Sequence, residues 1–129
     1  MVYSLKVLVA HRHFHQTDAV QQVMERRFRP LFITMGDGLS ALQAGRVSAY
    51  DLLLCSVDLP VVTGFELVRA LRIWSPNKAT PALLLGEQFD QRHLNLAERL
   101  GHCSLVGFHS EEIDKGLDQL FPQTRLKPA

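Results

Sequence analysis

A serine and an aspartate follow an apolar run in the middle of the sequence, and both residue types can take part in catalysis. Residues 50–55 read YDLLLC, and Ser56, Val57 and Asp58 come next. A run of this kind is typical of a buried strand that brings one side chain to the edge of a sheet. A hydrolase that uses such a serine places it in a sharp turn between glycines. Ser56 lacks those glycines, so the sequence does not predict a hydrolase.

A histidine-rich stretch after the first apolar run is the second place where chemistry could occur. His11, His13 and His15 alternate with Arg12 and Phe14, and three histidines can bind Zn²⁺ or Cu²⁺. The stretch lies where a strand should give way to a helix, so the three side chains should not stay aligned. It also contains no carboxylate or cysteine. We therefore expect no metal here, and a loop that changes charge near neutral pH is a milder alternative.

Length and composition fit a single globular domain. The chain has 129 residues, 47% of them hydrophobic, with 14 Lys plus Arg against 13 Asp plus Glu. This balance argues against nucleic-acid binding as the main activity, because such binding favours a basic excess. No apolar stretch approaches the ~20 residues of a membrane span, and no secretory signal precedes the first strand. Cys55 and Cys103 fall in apolar runs and are interpreted as free thiols, so we expect a cytoplasmic protein. From the charge balance and the short apolar stretches, we expect it to bind neither nucleic acid nor membrane.

Apolar segments alternate with helical patterns along the chain. A first helix, capped by Thr17 or Asp18, should run through Phe28, end in basic residues and stop at Pro30. A third helix should carry Trp74 on its apolar stripe. The predicted strands span residues 5–10, 31–35, 50–55, 81–85 and 105–108, and the other predicted helices span about 39–47, 65–74, 91–100 and 111–121. Residues 1–122 should form one domain, and 123–129 a tail or linker stub.

Five strands in strict alternation with five helices predict an α/β fold, a doubly wound (βα)5 domain with a parallel sheet. Sites in such folds form beyond the carboxyl ends of the strands. The residues expected at that edge are His11 to His13, Ser56 to Asp58, Gly86 with Glu87, and Phe108 with His109.

The order of these elements and several short segments resemble the receiver domain of bacterial response regulators, the CheY-like half of two-component signalling. The matching segments are LysValLeuVal at 6–9, GlyLeuSerAlaLeu at 38–42, TyrAspLeuLeuLeu at 50–54, LeuPro at 59–60 with Gly64, PheGluLeu at 65–67, and LeuArg at 71–72. The resemblance covers about residues 6–120. It implies a flavodoxin-like sheet with strand order 2-1-3-4-5.

The resemblance also implies a chemistry that this chain lacks. In the family, an aspartate after strand three accepts a phosphoryl group, an acidic pair after strand one holds Mg²⁺, and a hydroxyl and a lysine contact the phosphoryl oxygens. The acidic pair falls on His11 and Arg12, the phosphoacceptor on Ser56, the hydroxyl on Gly86 and the lysine on Phe108. Serine cannot form an acyl phosphate. The sequence thus predicts a pseudo-receiver, not an enzyme and without a cofactor.

A pseudo-receiver would work by binding other proteins. In the family, helix four, strand five and helix five form the face for dimerisation and output. Here Leu94, Leu105, Phe108 and Ile113 are the apolar residues expected on that face, for a signalling partner or a homodimer. We also expect Arg12 to fill the vacated metal position and pair with Asp58.

Two alternatives remain open from the sequence. A receiver fold could be switched by an unconventional anion or metal at the rim formed by His11 and Arg12. A small cofactor carrier on the same fold is the other. A flavin or nucleotide site would need a glycine-rich loop after strand one, and the cobalamin pattern of aspartate, histidine and glycine is met only at His13, since His11 and Gln16 replace its other two members.

Overall fold

A computed structural model describes residues 3–14 and 17–122 of the chain. The elements alternate strictly, as predicted: β1 Tyr3–Ala10, α1 Asp18–Arg27, β2 Phe28–Met35, α2 Gly38–Val47, β3 Leu52–Ser56, α3 Gly64–Ile73, β4 Ala82–Leu85, α4 Gln91–Leu100, β5 Cys103–Val106 and α5 Ser110–Leu120. The predicted tail at 123–129 lies outside the described residues, as do His15 and Gln16.

All strand pairs are parallel, and the sheet order is β2-β1-β3-β4-β5. The predicted fold class and strand order are therefore confirmed. The order reverses beside β1, which is where open α/β sheets place their sites.

The central strands are apolar throughout because helices cover both faces of the sheet. Side chains alternate between the two faces, so Leu52 and Leu54 join one core cluster while Leu53 and Cys55 join the other. The first cluster lies under α1 and α5 and includes Val23 and Leu117 from those helices. The second includes buried residues of α2 and α3, with partly buried residues of α4 packed against it.

The boundary between α1 and β2 corrects the sequence prediction. The helix ends at Arg27, so Arg26 and Arg27 do form its basic last turn, but Phe28 is already extended and begins β2. Pro30 lies inside the strand instead of stopping the helix, opposite Leu5 of β1. A proline is tolerated because β2 is an edge strand with a partner on one side only.

Two further boundaries differ from the predictions. Trp74 follows the last residue of α3 with φ −129° and ψ 64°, so it leaves the helical stripe, and it is 80% exposed. Strand β5 covers 103–106 and not 105–108, so Phe108 belongs to the loop before α5.

Side-chain caps fix the helices that follow the central strands. Thr63 and Glu66 form a capping box at α3: each side chain accepts from the backbone N–H of the other residue. Asp90 and His93 do the same at α4. These boxes set the loops after β3 and β4, which build the candidate site.

None of the helices in the described ranges is long and apolar enough to cross a membrane.

Candidate functional site

The carboxyl edge of the sheet brings together the residues predicted to form the site. His11, Val57 and Gly86 directly follow β1, β3 and β4, and Phe108 lies two residues beyond β5. Backbone pairing continues to this rim, since Val57 N–H donates to Leu85 O at 2.9 Å and Gly86 N–H donates to Val106 O at 3.1 Å. The sheet therefore holds the start of each loop in a fixed place.

Ser56 is the last residue of β3 and takes part in a local turn. Its Oγ accepts from the backbone N–H of Asp58 at 3.2 Å. Gly64 faces the Ser56 carbonyl so closely that a side chain at position 64 would collide with it, which explains the glycine there. In the described part of the chain, no histidine or carboxylate side chain hydrogen-bonds to Ser56 Oγ. In this structure, therefore, none of the described side chains is placed as a general base for the hydroxyl.

His11 and Phe108 form an aromatic contact across the rim. Their ring centroids lie 6.3 Å apart at 87°, an edge-to-face arrangement, and Phe14 stands 6.5 Å from His11 on another side. The resemblance places an acidic residue at the first position and a lysine at the second. In this chain the two positions hold His11 and Phe108, and their aromatic rings contact each other.

The surroundings of His11 favour the neutral imidazole. Its Nδ1 accepts from the backbone N–H of His13 at 3.0 Å, which requires an unprotonated nitrogen. Burial lowers the pKa of His11 from its ordinary value, and the nearby charge of His13 adds to this shift. A neutral imidazole has neither the negative charge nor the oxygen atoms with which a carboxylate holds Mg²⁺, so His11 does not replace an acidic residue for that ion.

A small cavity of about 460 Å³ opens beside this aromatic contact. Its lining comes from the loop after β1, the start of α1 and the loop after β5: His11, His13, Thr17, Asp18, Ala19, Val20 and Phe108. Within the described ranges, no three His, Cys, Asp or Glu side chains are grouped so that they could hold a metal ion.

Gly86 occupies the position that the resemblance assigns to a hydroxyl residue, and its space is already filled. A Cβ at this position would lie 2.8 Å from Val57 Cγ2 and 2.9 Å from Phe89 Cζ. A serine or threonine would therefore need both neighbours to move. The sequence analysis placed Val57 at this edge but missed Phe89, and only the fold shows that both side chains close on Gly86.

The predicted pairing of Arg12 with Asp58 is wrong. Both side chains are exposed, and the ion pairs formed by described residues do not include this one. The loop after β1 turns at Arg12 and His13, while the Asp58 backbone is held in the turn on Ser56. An exposed pair would gain about 0–1 kcal/mol, too little to hold two side chains together.

The four residues expected on the partner face differ in accessibility. Leu94 of α4 is 48% exposed, and Leu105 and Phe108 are partly buried. Ile113 is fully buried, so its prediction as a surface residue is wrong. It lies four residues before Leu117 on the face of α5 that packs on the sheet.

Comparisons with known proteins agree with the fold. No family model matches the chain. The chemotaxis protein CheY4 of Vibrio cholerae is 25% identical, with 93% of this chain and 99% of that chain covered and a TM-score of 0.74. The receiver domain of the sensor histidine kinase PA1611 of Pseudomonas aeruginosa PAO1, which has a magnesium ion in its active-site cleft, is 16% identical, with 92% and 98% covered and a TM-score of 0.73.

One curated relative is also similar in sequence. The sensor protein EvgS of Escherichia coli K12 is 28% identical over 92 residues, which are 71% of this chain but only 8% of that protein. The chain thus spans a small part of the length of the curated relatives that it matches. Together with the geometry, these likenesses show a CheY-like receiver-domain fold.

Proposed function

We propose that this domain is a pseudo-receiver: a phosphorylation-independent module that binds other proteins in bacterial two-component signalling and has no enzymatic activity. The observation that carries the proposal is the contact between His11 and Phe108. It occupies the rim where a working receiver would need carboxylates for a metal and a lysine for the phosphoryl group.

The chemistry of the remaining positions supports the same proposal. Phosphoryl transfer depends on Mg²⁺, which binds carboxylate and carbonyl oxygens. His11 and Arg12 supply no carboxylate, and Arg12 adds a fixed positive charge. At the phosphoacceptor position, Ser56 would have to attack without a base.

A domain that is not switched by phosphate would present one surface constantly. We propose that this surface is the face of α4, β5 and α5, with Leu94 as its exposed apolar contact and with the partly buried Leu105 and Phe108 as further members. A second copy of the domain is one candidate partner there. We propose the cytoplasm as its compartment, since the two thiols, Cys55 and Cys103, are free.

Exposure to phosphodonors tests the proposal. The domain is incubated with Mg²⁺ and either acetyl phosphate or beryllofluoride, and its melting temperature and amide NMR spectrum are recorded. CheY4 of Vibrio cholerae, treated in parallel, serves as the comparison protein. We expect no change in this domain. A shift that appears with the donor and disappears in Ser56→Ala would overturn the proposal.

The cavity beside His11 favours one second candidate, a receiver fold switched by an anion or metal at the rim of His11 and Arg12. A melting-temperature panel with inorganic phosphate, sulfate and Zn²⁺ addresses it. A rise that is lost in both His11→Phe and Arg12→Ala would favour this candidate over a constitutive module.

A further inference from the structure

A long groove lies between α3 and α4, with a volume of about 1010 Å³. It runs from the loops after β3 and β4 down to the carboxyl ends of both helices. Its volume reaches the upper end of the range for small-molecule sites, roughly 300–1,000 Å³. Because it is also long and open along one side, it suits a segment of another macromolecule.

Two matching helical stripes form its walls. On α3 these are Phe65, Glu66, Arg69, Arg72 and Ile73. On α4 they are Arg92, His93, Leu96, Arg99 and Leu100. Both sets follow the spacing i, i+1, i+4, i+7, i+8 of one helix face. Because both sets line the same groove, these two helix faces lie opposite each other across it.

Both ends of the groove are held in place before anything binds. At the upper end the rings of Phe65 and His93 stack, with centroids 5.4 Å apart and planes within 10°. At the lower end Arg72 donates to the carbonyls of Leu100 at 3.2 Å and Gly101 at 3.0 Å. A preformed site loses less conformational freedom on binding.

Apolar and basic side chains both line the groove. Leu96, Leu100 and Ile73 supply the apolar surface. Arg69, Arg92 and Arg99 are exposed, and they form no ion pair with any described residue.

The acidic groups of the groove gather at its upper end. They are Asp58, Glu66 and Glu87, and Glu66 Oε1 already accepts from the backbone N–H of Thr63 at 3.0 Å. Arg92, in the first turn of α4, lies at this same end. The middle and lower parts, which carry Arg69 and Arg99, therefore present positive charge beside apolar side chains.

We propose that this groove binds an acidic amphipathic segment of a partner protein, with its apolar side chains against Leu96, Leu100 and Ile73 and its carboxylates against Arg69 and Arg99. Helix-in-groove binding uses this combination of apolar anchors and flanking charge. The surface is distinct from the α4–β5–α5 face, so it would let the domain hold a second protein.

Two other occupants fit the groove less well. A nucleic acid would meet the three acidic groups at the upper end, and the chain's net charge is only +1. A second copy has one strongly acidic helix, α5, but its apolar residues Ile113 and Leu117 are fully buried in the core. The copy therefore offers no acidic helix with a free apolar face in its described elements.

The test uses a fluorescein-labelled synthetic peptide of about four helical turns, with leucines on one face and glutamates beside them. A matched peptide carries lysine in place of each glutamate. Binding to the full chain is measured by fluorescence anisotropy, and amide NMR shifts locate the contact. We expect the acidic peptide to bind and to shift residues 65–73 and 92–100, and the lysine peptide not to bind.

Charge-reversal variants identify the residues responsible. The double variant Arg69→Glu/Arg99→Glu should weaken acidic-peptide binding at least ~10-fold, equivalent to about 1.4 kcal/mol. Arg46→Glu is the matched control, because Arg46 is an exposed arginine of α2 outside the groove. It should change affinity less than ~2-fold. Circular dichroism checks that each variant is folded.

Four results would overturn the proposal. They are no binding by the acidic peptide, equal binding by the lysine peptide, tighter binding by a labelled single-stranded oligonucleotide, and a dimer in solution that the double variant dissociates. The last two would assign the groove to nucleic acid or to a second copy. None of these measurements involves Ser56 or a phosphodonor, so the pseudo-receiver proposal stands or fails separately.

Discussion

Gly86 shows how a single position can exclude the receiver's hydroxyl. The Cβ of any replacement would press on Val57 and Phe89, which approach from the loops after β3 and β4. Restoring a threonine here would not by itself restore a phosphoryl contact. The substitution would first have to displace packed side chains.

Gly86→Ala should lower the free energy of unfolding by about 1–2 kcal/mol, because overpacking forces neighbouring side chains from their positions. Urea unfolding followed by far-UV circular dichroism measures the loss. Gly36→Ala is the matched control: a Cβ there meets nothing within 4 Å, so its effect should stay within ~0.5 kcal/mol. Equal losses in the two variants would contradict the packing explanation.

His11 should make the fold less stable in acid. Burial lowers its folded-state pKa below the ordinary value of 6.5, so below that pH the unfolded chain binds more protons at this position. The unfolding free energy should therefore fall as pH drops through 6.5 and level off below the folded-state pKa.

His11→Phe, which keeps a ring against Phe108, should remove this part of the pH dependence. Urea unfolding at a series of pH values, with an NMR titration of the His11 imidazole, makes the measurement. An unchanged acid loss in His11→Phe would show that other groups cause it.

At the scale of elements, one arginine joins α1 to α5. Arg27 donates to Asp118 Oδ1 at 2.9 Å and to Asp114 Oδ1 at 3.3 Å, and its side chain is 6% exposed. Its neighbour Arg26 reaches Asp114 at 3.4 Å from a largely exposed position. The same two helices pack over the first core cluster.

Arg27→Ala should cost about 1–2 kcal/mol of unfolding free energy, because it removes two hydrogen bonds between a buried guanidinium and partly exposed carboxylates. Arg26→Ala should cost less than ~0.5 kcal/mol, since exposed ion pairs contribute little. Chemical denaturation of both variants tests the contrast. Similar losses would mean that burial does not separate the two arginines.

A buried asparagine connects the turn after α3 to the end of α2. Asn77 Nδ2 donates to the carbonyls of Gly45 at 2.6 Å and Ser48 at 2.9 Å, and Oδ1 accepts from Tyr50 N–H at 2.9 Å. The sequence analysis did not identify Asn77 as a buried residue, because its contribution to stability depends on hydrogen-bond partners about 30 residues away in the chain.

Asn77→Asp should destabilise the domain by about 3 kcal/mol, because a carboxylate cannot donate to two carbonyls and is buried beside them. Asn95→Asp, on the exposed face of α4, is the control and should change stability by less than ~0.5 kcal/mol. Thermal and urea unfolding of both variants provide the comparison. A tolerated Asn77→Asp would show that this turn adapts to the loss.

For the whole molecule, the proposed α4–β5–α5 face makes a prediction about association. If a second copy binds there, light scattering after size-exclusion chromatography should show a fraction of dimer that rises with protein concentration. Leu94→Glu should abolish this dimer. Val47→Glu, at another exposed apolar position on α2, should leave the dimer intact. A dimer that survives Leu94→Glu would exclude this face.

Patterns that repeat along the chain predicted the architecture well, whereas local pairings were harder to predict. Continuous apolar strands and amphipathic helices predicted five alternating strand–helix pairs, because strands covered on both faces are apolar throughout. The strand order 2-1-3-4-5 came from the resemblance to receiver domains. The prediction that α1 stops at Pro30 was wrong, because only the sheet order reveals that β2 is an edge strand, in which a proline is tolerated. The Arg12–Asp58 pair, the surface position of Ile113 and the packing around Gly86 could not be predicted correctly. They depend on the directions of side chains and on how close the loops approach each other, which a local stretch of sequence does not determine.

The position of Trp74 has a spectroscopic consequence. It is the only tryptophan in the sequence, it is 80% exposed, and it directly follows Ile73 at the lower end of the groove. An indole already in water emits at long wavelength, so unfolding should scarcely change its fluorescence colour. A blue shift in the folded protein would instead report that something had covered this end of the groove, which makes Trp74 a built-in, label-free optical probe of docking.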